Sequence, residues 1–255
     1  MSAKPVLWHI PISHYNEKVR WALDYKGVEH ERRAPMPGAH MLVALARTRG
    51  EHMTFPMLRL DAQTIGDSTA IIAALEERYP EPPLYPSDAA ERRRALDLEE
   101  FLDEELGPHP RLLAFHHAIK DREAAASVME GYLPGPVRSF QPARMAVAAA
   151  AGGFARIRYR VASEDAAEAA RRGTAAALDR LEDELGGRDY LVGGRFTVAD
   201  LTAASLLYPI ALPAEGPRVP AAPPSLEAVL SEFERRPAIA WVREMFARHR
   251  RSKPG

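Results

Sequence analysis

The stretch Pro11-Ile12-Ser13-His14-Tyr15-Asn16-Glu17-Lys18-Val19-Arg20 decides how this chain is read. The apolar run Val6-Leu7-Trp8 stands just before it and reads as a strand. After it, Tyr15, Val19, Ala22 and Leu23 recur at i, i+4, i+7 and i+8, one face of a helix. Ser13 therefore stands at or just before the N-cap, where unpaired backbone N–H groups and the positive end of the helix dipole point outward. A hydroxyl at such a point suits an anion, a thiolate among them.

Composition narrows the classes. The 255 residues are enough for one large domain or two smaller ones, with 46% hydrophobic and 27% charged residues, ordinary values for a globular protein. A formal net charge of −1 offers no steering towards nucleic acid or a membrane surface. No apolar run is long enough to span a bilayer, and nothing at the start resembles a signal peptide, so a cytoplasmic protein is expected. The chain has no cysteine, which excludes disulfides, thiolate metal sites and a cysteine nucleophile. The nine histidines include the pair His116-His117 but no HExxH-like spacing, so no metal is expected.

Outward from the opening stretch, residues 5 to 10 read as a strand and 15 to about 26 as a helix stopped by Gly27. Val28 to Arg33 reads as a second strand, His40 to Arg47 as a short helix, and Phe55 to Leu60 as a strand with a proline near its start. Asp61-Ala62-Gln63 reads as a hairpin turn into a return strand from Thr64, and Asp67-Ser68 opens a helix through Ile71, Ile72, Leu75 and Tyr79. The order βαβ-α-ββα predicts a small mixed sheet with helices on its faces. After Pro86 only helical patterns remain. Ser87 is expected to cap a helix through Leu102 that Gly107-Pro108 and Pro110 disturb, with a helix resuming through Leu112, Leu113 and Phe115. Pro134 to Pro142 reads as a loop, 143 to 151 as helix, and Ser163 as the cap of a helix ending at Gly186-Gly187. Pro209 to Pro224 reads as an irregular crossing, Ser225 as a further cap, and Pro237 as the start of the last helix. Thr197 with Asp200 three residues on reads as a capping box, and Phe196 and Leu201 as its hydrophobic staple.

Four motifs in this order resemble the glutathione S-transferase family over nearly the whole chain. They are Ser13 through Arg20, similar to the family's Ser or Cys turn leading into Lys-Val-Arg; Thr54-Phe55-Pro56, similar to its cis-proline motif; Asp67-Ser68, similar to its acidic-Ser pair; and Phe196 through Asp200, similar to its buried capping box. The resemblance implies an α+β architecture: a thioredoxin-like glutathione-binding domain over residues 1–80, a linker over 81–87, and an all-helical substrate-binding domain over 88–255. It implies that Ser13, or Tyr15 in its place, contacts the glutathione sulfur, and that Asp67 and Ser68 hold the γ-glutamyl end. The Phe55 backbone beside a cis-Pro56 would pair with the cysteinyl part, and His40 and His52 stand where a cation for the glycyl carboxylate is expected. It further implies a homodimer, a small hydrophobic electrophile as partner, and a role in detoxification. Phe101, Phe115 and Tyr159 are the aromatic candidates for the electrophile pocket. Conjugation, thiol-assisted isomerisation, dehalogenation and ether cleavage would all use the same thiolate.

Two departures stand out. His14 replaces the proline that often follows the hydroxyl residue, and Asn16 stands where some relatives carry Cys. Without any cysteine, disulfide reduction through a protein mixed disulfide is excluded. Ser13 and Asp67-Ser68 also read simply as helix caps, Tyr15 as a helix residue packed on the sheet, and His14 as a solvated turn residue. A binding protein without turnover, or a transferase using another small thiol, fits the same residues.

Overall fold

The computed structural model describes residues 4–36, 39–130, 133, 140–159, 161 and 163–250. Strand β1 (Val6–Trp8) leads into helix α1 (His14–Tyr25), which crosses over to a parallel strand β2 (Glu31–Arg33). Helix α2 (Ala39–Arg47) follows, then the antiparallel pair β3 (Met57–Leu60) and β4 (Gln63–Gly66), and helix α3 (Ser68–Arg78). The sheet order is β2-β1-β3-β4, with β1 and β3 antiparallel. Side chains alternate across the pleat. Leu7 and Leu58 point into the main core under α1 and α3, while Val6, Trp8 and Met57 point the other way, onto Ala44 of α2 and Phe55. This is the mixed sheet with helices on both faces that the order βαβ-α-ββα predicts.

The strands are shorter than their sequence patterns, because neighbouring groups take the ladder's hydrogen-bond partners. The Ile10 N–H is bound by the side chain of Asn16 at 3.0 Å. Val28 N–H returns to Leu23 O at 2.9 Å and Gly27 N–H to Asp24 O at 3.1 Å, the two bonds of a Schellman cap with Gly27 at φ +65°. Phe55–Pro56 is a cis peptide, and Pro56 has no N–H to donate.

The second half is helical: α4 (Ala89–Phe101), a π-helical turn (Leu102–Leu106), α5 (Pro108–Ala118), α6 (Arg122–Glu130), α7 (Gln141–Tyr159), α8 (Glu164–Leu185), α9 (Val198–Ala211), α10 (Pro224–Phe233) and α11 (Pro237–His249). Several boundaries correct the sequence reading. Asp88, not Ser87, caps α4, accepting from the N–H groups of Ala90 and Glu91 at 3.0 and 2.9 Å. Helix α5 starts at Pro108 instead of resuming at Leu112, since prolines in a first turn forgo only N–H groups that have no helical partner. The same reasoning puts Pro224, not Ser225, at the start of α10 and Pro142 inside the first turn of α7. Residues 134–139 of the expected loop lie outside the described residues. Helix α9 runs through Pro209 to Ala211 before Leu212 turns left-handed at φ 46°. Burial of Leu206, Leu207, Tyr208, Ile210 and Ala211 outweighs the penalty of about 3 kcal/mol for an interior proline. Helix α6, absent from the sequence reading, is capped by Asp121, whose Oδ1 accepts from Glu123 and Ala124 N–H at 2.9 Å each.

Asp200 carries the capping box. Its Oδ2 accepts from Thr197 N–H at 2.8 Å and from the Thr197 hydroxyl at 2.9 Å, and its Oδ1 from Leu191 N–H at 2.8 Å. One continuous core joins the two halves. Trp21 of α1 stacks on Phe196 (5.5 Å between ring centres) and leans on Phe246 (4.3 Å), and its indole donates to His249 O at 3.1 Å.

His14, expected in solvent, is only 2% exposed, and its Nε2 donates across the halves to Gly107 O at 2.8 Å. Burial and then the nearby Arg111 guanidinium hold its pKa down to about 3. His9 is also buried; its Nδ1 accepts from Arg20 at 3.0 Å, and burial followed by that guanidinium holds it to about 3. Both folded-state values lie below the unfolded value near 6.5, so the stability they contribute is complete above pH 6.5 and is lost as pH falls towards 3. Between pH 7.5 and 5.5 the two histidines together should cost about 2–3 kcal/mol of unfolding free energy, measured by urea denaturation. His14→Gln keeps a donor for Gly107 and should remove roughly half of that loss; an unchanged pH dependence in His14→Gln would refute the assignment.

Candidate functional site

Three segments meet at the N-terminus of α1: the loop from Ile10 to Ser13, the Phe55–Pro56 turn, and the start of α3. The first is fixed by side chains of its own helix and the helical half. Arg20 donates to Ile10 O at 3.1 Å and Pro11 O at 2.9 Å, and the Tyr208 hydroxyl donates to Ile12 O. Glu17 holds Arg20 at 2.7 Å and is itself held by Arg250 at 2.6 Å, all three side chains being buried. Charges out of water persist only when paired in this way.

Ser13 is the N-cap residue of α1, in extended backbone conformation at φ −83°, ψ 129°. Its side chain makes no cap hydrogen bond, so the plain-cap reading does not describe it. Instead its Oγ accepts from Asn16 Nδ2 at 2.7 Å. Tyr15, in contrast, donates its hydroxyl to Asp103 O at 2.6 Å, reaching across Gly107, where a Cβ would lie 2.3 Å from the phenol oxygen. Burial raises the phenol's pKa. Tyr15 thus packs on the π-helical turn and not on the sheet.

Asp67 caps α3: its Oδ1 accepts from Thr69 N–H at 2.9 Å and Ala70 N–H at 3.1 Å. Its φ of +67° is a conformation that a non-glycine residue adopts only at a cost of about 1–3 kcal/mol, a cost that recurs at ligand sites. Beneath this corner lies a buried ion cluster. Lys18 Nζ reaches Glu99 at 2.8 Å, Asp103 at 2.6 Å and the Thr69 hydroxyl at 3.1 Å. Burial raises the Glu99 carboxyl's pKa against the pull of Lys18, and Glu99 Oε2 and Asp103 Oδ1 have no hydrogen-bond partner among the described residues.

A cavity of about 1020 Å³ joins these groups. Ser13, Tyr15, His40, His52, Phe55, Pro56, Asp67 and Ser68 all line it. His40 meets Phe55 edge-on at 5.9 Å, and burial lowers its pKa, so it is a weaker cation than the sequence suggests. The His52 ring lies over Gly66, where a Cβ would come within 2.3 Å of it. The Phe55 carbonyl, part of the backbone expected to be free for a peptide, already accepts from Asn16 Nδ2 at 3.2 Å and from the Thr54 hydroxyl at 3.5 Å.

Of the two aromatic candidates with described side chains, Phe115 lines the cavity. Phe101 does not: it packs on the core with the Arg180 guanidinium 3.6 Å above its ring. Tyr159 closes α7, and its side chain lies outside the described residues. The sequence reading missed Arg111, Ala114 and Ala118, which stand with Phe115 on one face of α5 at i, i+3, i+4 and i+7, a spacing that was available as a signal. It also missed Tyr208, Leu212 and Leu226, brought to the same wall by α9 and α10. Among the described residues no group of three or more His, Asp or Glu is placed to hold a metal, and no helix is long and apolar enough to cross a membrane.

Comparison with known proteins agrees with this architecture. Residues 7–83 match the family profile "Glutathione S-transferase, N-terminal domain" and residues 140–237 match "Glutathione S-transferase, C-terminal domain". A probable maleylacetoacetate isomerase 1 of Drosophila melanogaster is 27% identical over 126 residues, 48% of this chain and 51% of that protein. A glutathione S-transferase of Triticum aestivum is 35% identical over 104 residues, 38% of this chain and 44% of that protein. The chain spans about half the length of these curated relatives. In fold it is similar to human glutathione transferase theta-2 in complex with glutathione (TM-score 0.64, 22% identity, 94% of this chain and 79% of that one). It is also similar to the beta-etherase LigF from Sphingobium sp. strain SYK-6 (TM-score 0.62, 20% identity, 96% and 100%). With both domain profiles matched in order across more than half its length, the chain belongs to the glutathione S-transferase family.

Proposed function

We propose that the protein is a glutathione-dependent transferase in which Ser13 holds the thiolate and the α5–α9–α10 wall holds the acceptor. One observation carries this reading: Ser13 Oγ stands at a helix N-terminus, in the same cavity as Asp67, Ser68 and the Phe55–Pro56 turn, while the rival hydroxyl of Tyr15 is committed to Asp103 O. The thiol of glutathione, with an ordinary pKa near 8.5, gives its proton to solvent. The Ser13 hydroxyl and the helix dipole favour the resulting anion. The sulfur then bonds to an electrophilic carbon, and the leaving group departs with its electron pair. Asp67 and Ser68 hold the γ-glutamyl end, and His40 and His52 face the glycyl end.

Saturating glutathione at about 100 times its Kd should add about 2.7 kcal/mol to the stability of the protein, read as a thermal shift. Asp67→Ala and Ser68→Ala should remove that shift. Ser13→Ala should keep it and lower conjugation of a reactive aryl halide about 10- to 100-fold, the worth of one hydrogen bond to a charged group. Binding without turnover across a panel of electrophiles would leave a binding protein instead.

Arg111 favours a narrower acceptor class. Among the described residues lining the cavity it is the one Lys or Arg, with Ala114, Phe115 and Ala118 beside it on α5 and the acidic Glu99, Glu100, Asp103 and Glu104 on the adjoining segment. It would supply the counter-charge for an acceptor carrying a carboxylate, as the name of the maleylacetoacetate isomerase relatives denotes for their substrate. Arg111→Ala should raise KM about tenfold or more for an anionic acceptor and leave that of its neutral ester near wild type. Equal effects on both would remove this reading. The protein is further proposed to act in the cytoplasm as a detoxifying homodimer; light scattering should give twice the 28.2 kDa chain mass, and a mass of one chain would refute the dimer.

A further inference from the structure

Asn16 is fully buried and touches two of the three segments at the site through all of its polar atoms. Its Oδ1 accepts from Ile10 N–H at 3.0 Å; its Nδ2 donates to Phe55 O at 3.2 Å and to Ser13 Oγ at 2.7 Å. Amide oxygen and nitrogen are told apart by their partners, and here the partners allow one orientation. A backbone N–H can only donate and a backbone carbonyl can only accept, so a flipped amide would set NH₂ against the Ile10 N–H and oxygen against the Phe55 carbonyl. The group facing Ser13 is therefore a donor. It enters a lone pair of the hydroxyl, and the one hydrogen of Ser13 has to point away from Asn16.

Asn16 occupies the third position of α1, where a capping residue's hydroxyl would ordinarily accept from the backbone N–H. Here the Asn16 side chain takes that lone pair instead, and Ser13 makes no cap bond. Ser13 lines the cavity, so a hydrogen turned from Asn16 has the cavity to point into.

We propose that Asn16 is a positioning residue that fixes the Ser13 hydroxyl as a hydrogen-bond donor to the thiolate, a proposal that rests on the transferase reading above. Asn16 touches no substrate in this role. It acts through Ser13, and through the Phe55 carbonyl it holds the cis-proline turn at a set distance from that hydroxyl. A carboxylate in its place would accept the Ser13 hydrogen and turn it from the sulfur.

The test is the pKa of the glutathione thiol bound to the protein, followed by the ultraviolet absorbance of the thiolate across pH. Wild type is compared with Asn16→Ala, Asn16→Asp, Ser13→Ala and the double variant Ser13→Ala/Asn16→Ala. Asn16→Ala should retain the glutathione thermal shift, raise the thiol pKa by about one unit and lower kcat about tenfold, since one pKa unit is a factor of ten. Asn16→Asp, which keeps the volume and the bond to Ile10, should raise the pKa further, and it carries the test if the alanine variant does not fold. With Ser13 already replaced, Asn16→Ala should raise the pKa no more, the signature of two groups acting as one. A full additional rise in the double variant, or a wild-type thiol pKa in both Asn16 variants beside a raised one in Ser13→Ala, overturns this proposal alone. An unchanged pKa in Ser13→Ala overturns the Ser13 reading and this proposal with it.

Discussion

The buried charges on α1 are the constraint on which the site depends. Glu17, Lys18 and Arg20 are all inside the protein, on a helix whose apolar face already has a core to fill. Each is paired to a different part of the chain: Glu17 to Arg250 near the end of α11, Lys18 to Glu99 and Asp103 of α4 and its π-helical turn, Arg20 to the carbonyls before Ser13. Stripping one partner from such a pair costs about 3–5 kcal/mol, so a shift of α1 by one residue would break several at once. Helix α1 has one available register, and Ser13 is at its end.

Hydrogen-bond accounting around that end explains how the Ser13 hydroxyl is placed. The carbonyls of Ile10, Pro11 and Ile12 are taken by Arg20 and Tyr208, and the hydroxyl's lone pair by Asn16. Tyr15, two residues further on, is placed differently because Gly107 leaves room for its ring to reach Asp103 O. The Tyr15 hydroxyl is thus committed to Asp103 O by way of a glycine about ninety positions away.

The α5–α9–α10 wall of the cavity follows from the helical half in a less local way. A π-helical turn after α4 redirects the chain so that α5 presents Arg111, Ala114, Phe115 and Ala118 to the cavity, while α9, by continuing through Pro209, carries Tyr208 to the loop before Ser13. Both features depend on prolines sitting where their missing N–H is tolerable or outweighed.

Much of this was legible in the residues alone. The period-2 and period-3.6 patterns, Gly27 after α1, Asp67 before α3 and the Thr197–Asp200 box marked the elements, because each depends on bonds made within a few residues. Ser13, the Phe55–Pro56 turn and Asp67-Ser68 were marked as one site by a resemblance whose motifs are also local. Phe101, by contrast, has the same chemistry as Phe115 yet turned to the core, and His14, polar and in a turn, was buried against Gly107. Which way a side chain on an amphipathic helix faces, which hydroxyl keeps a free hydrogen, and which buried charges find partners depend on groups far apart in the chain. The sequence by itself determined most of the elements, their order and the family, since those rest on short-range hydrogen bonds and periodicity. Only the tertiary structure decided the lining of the cavity and the orientation of Ser13, because burial and pairing are properties of segments brought together by packing.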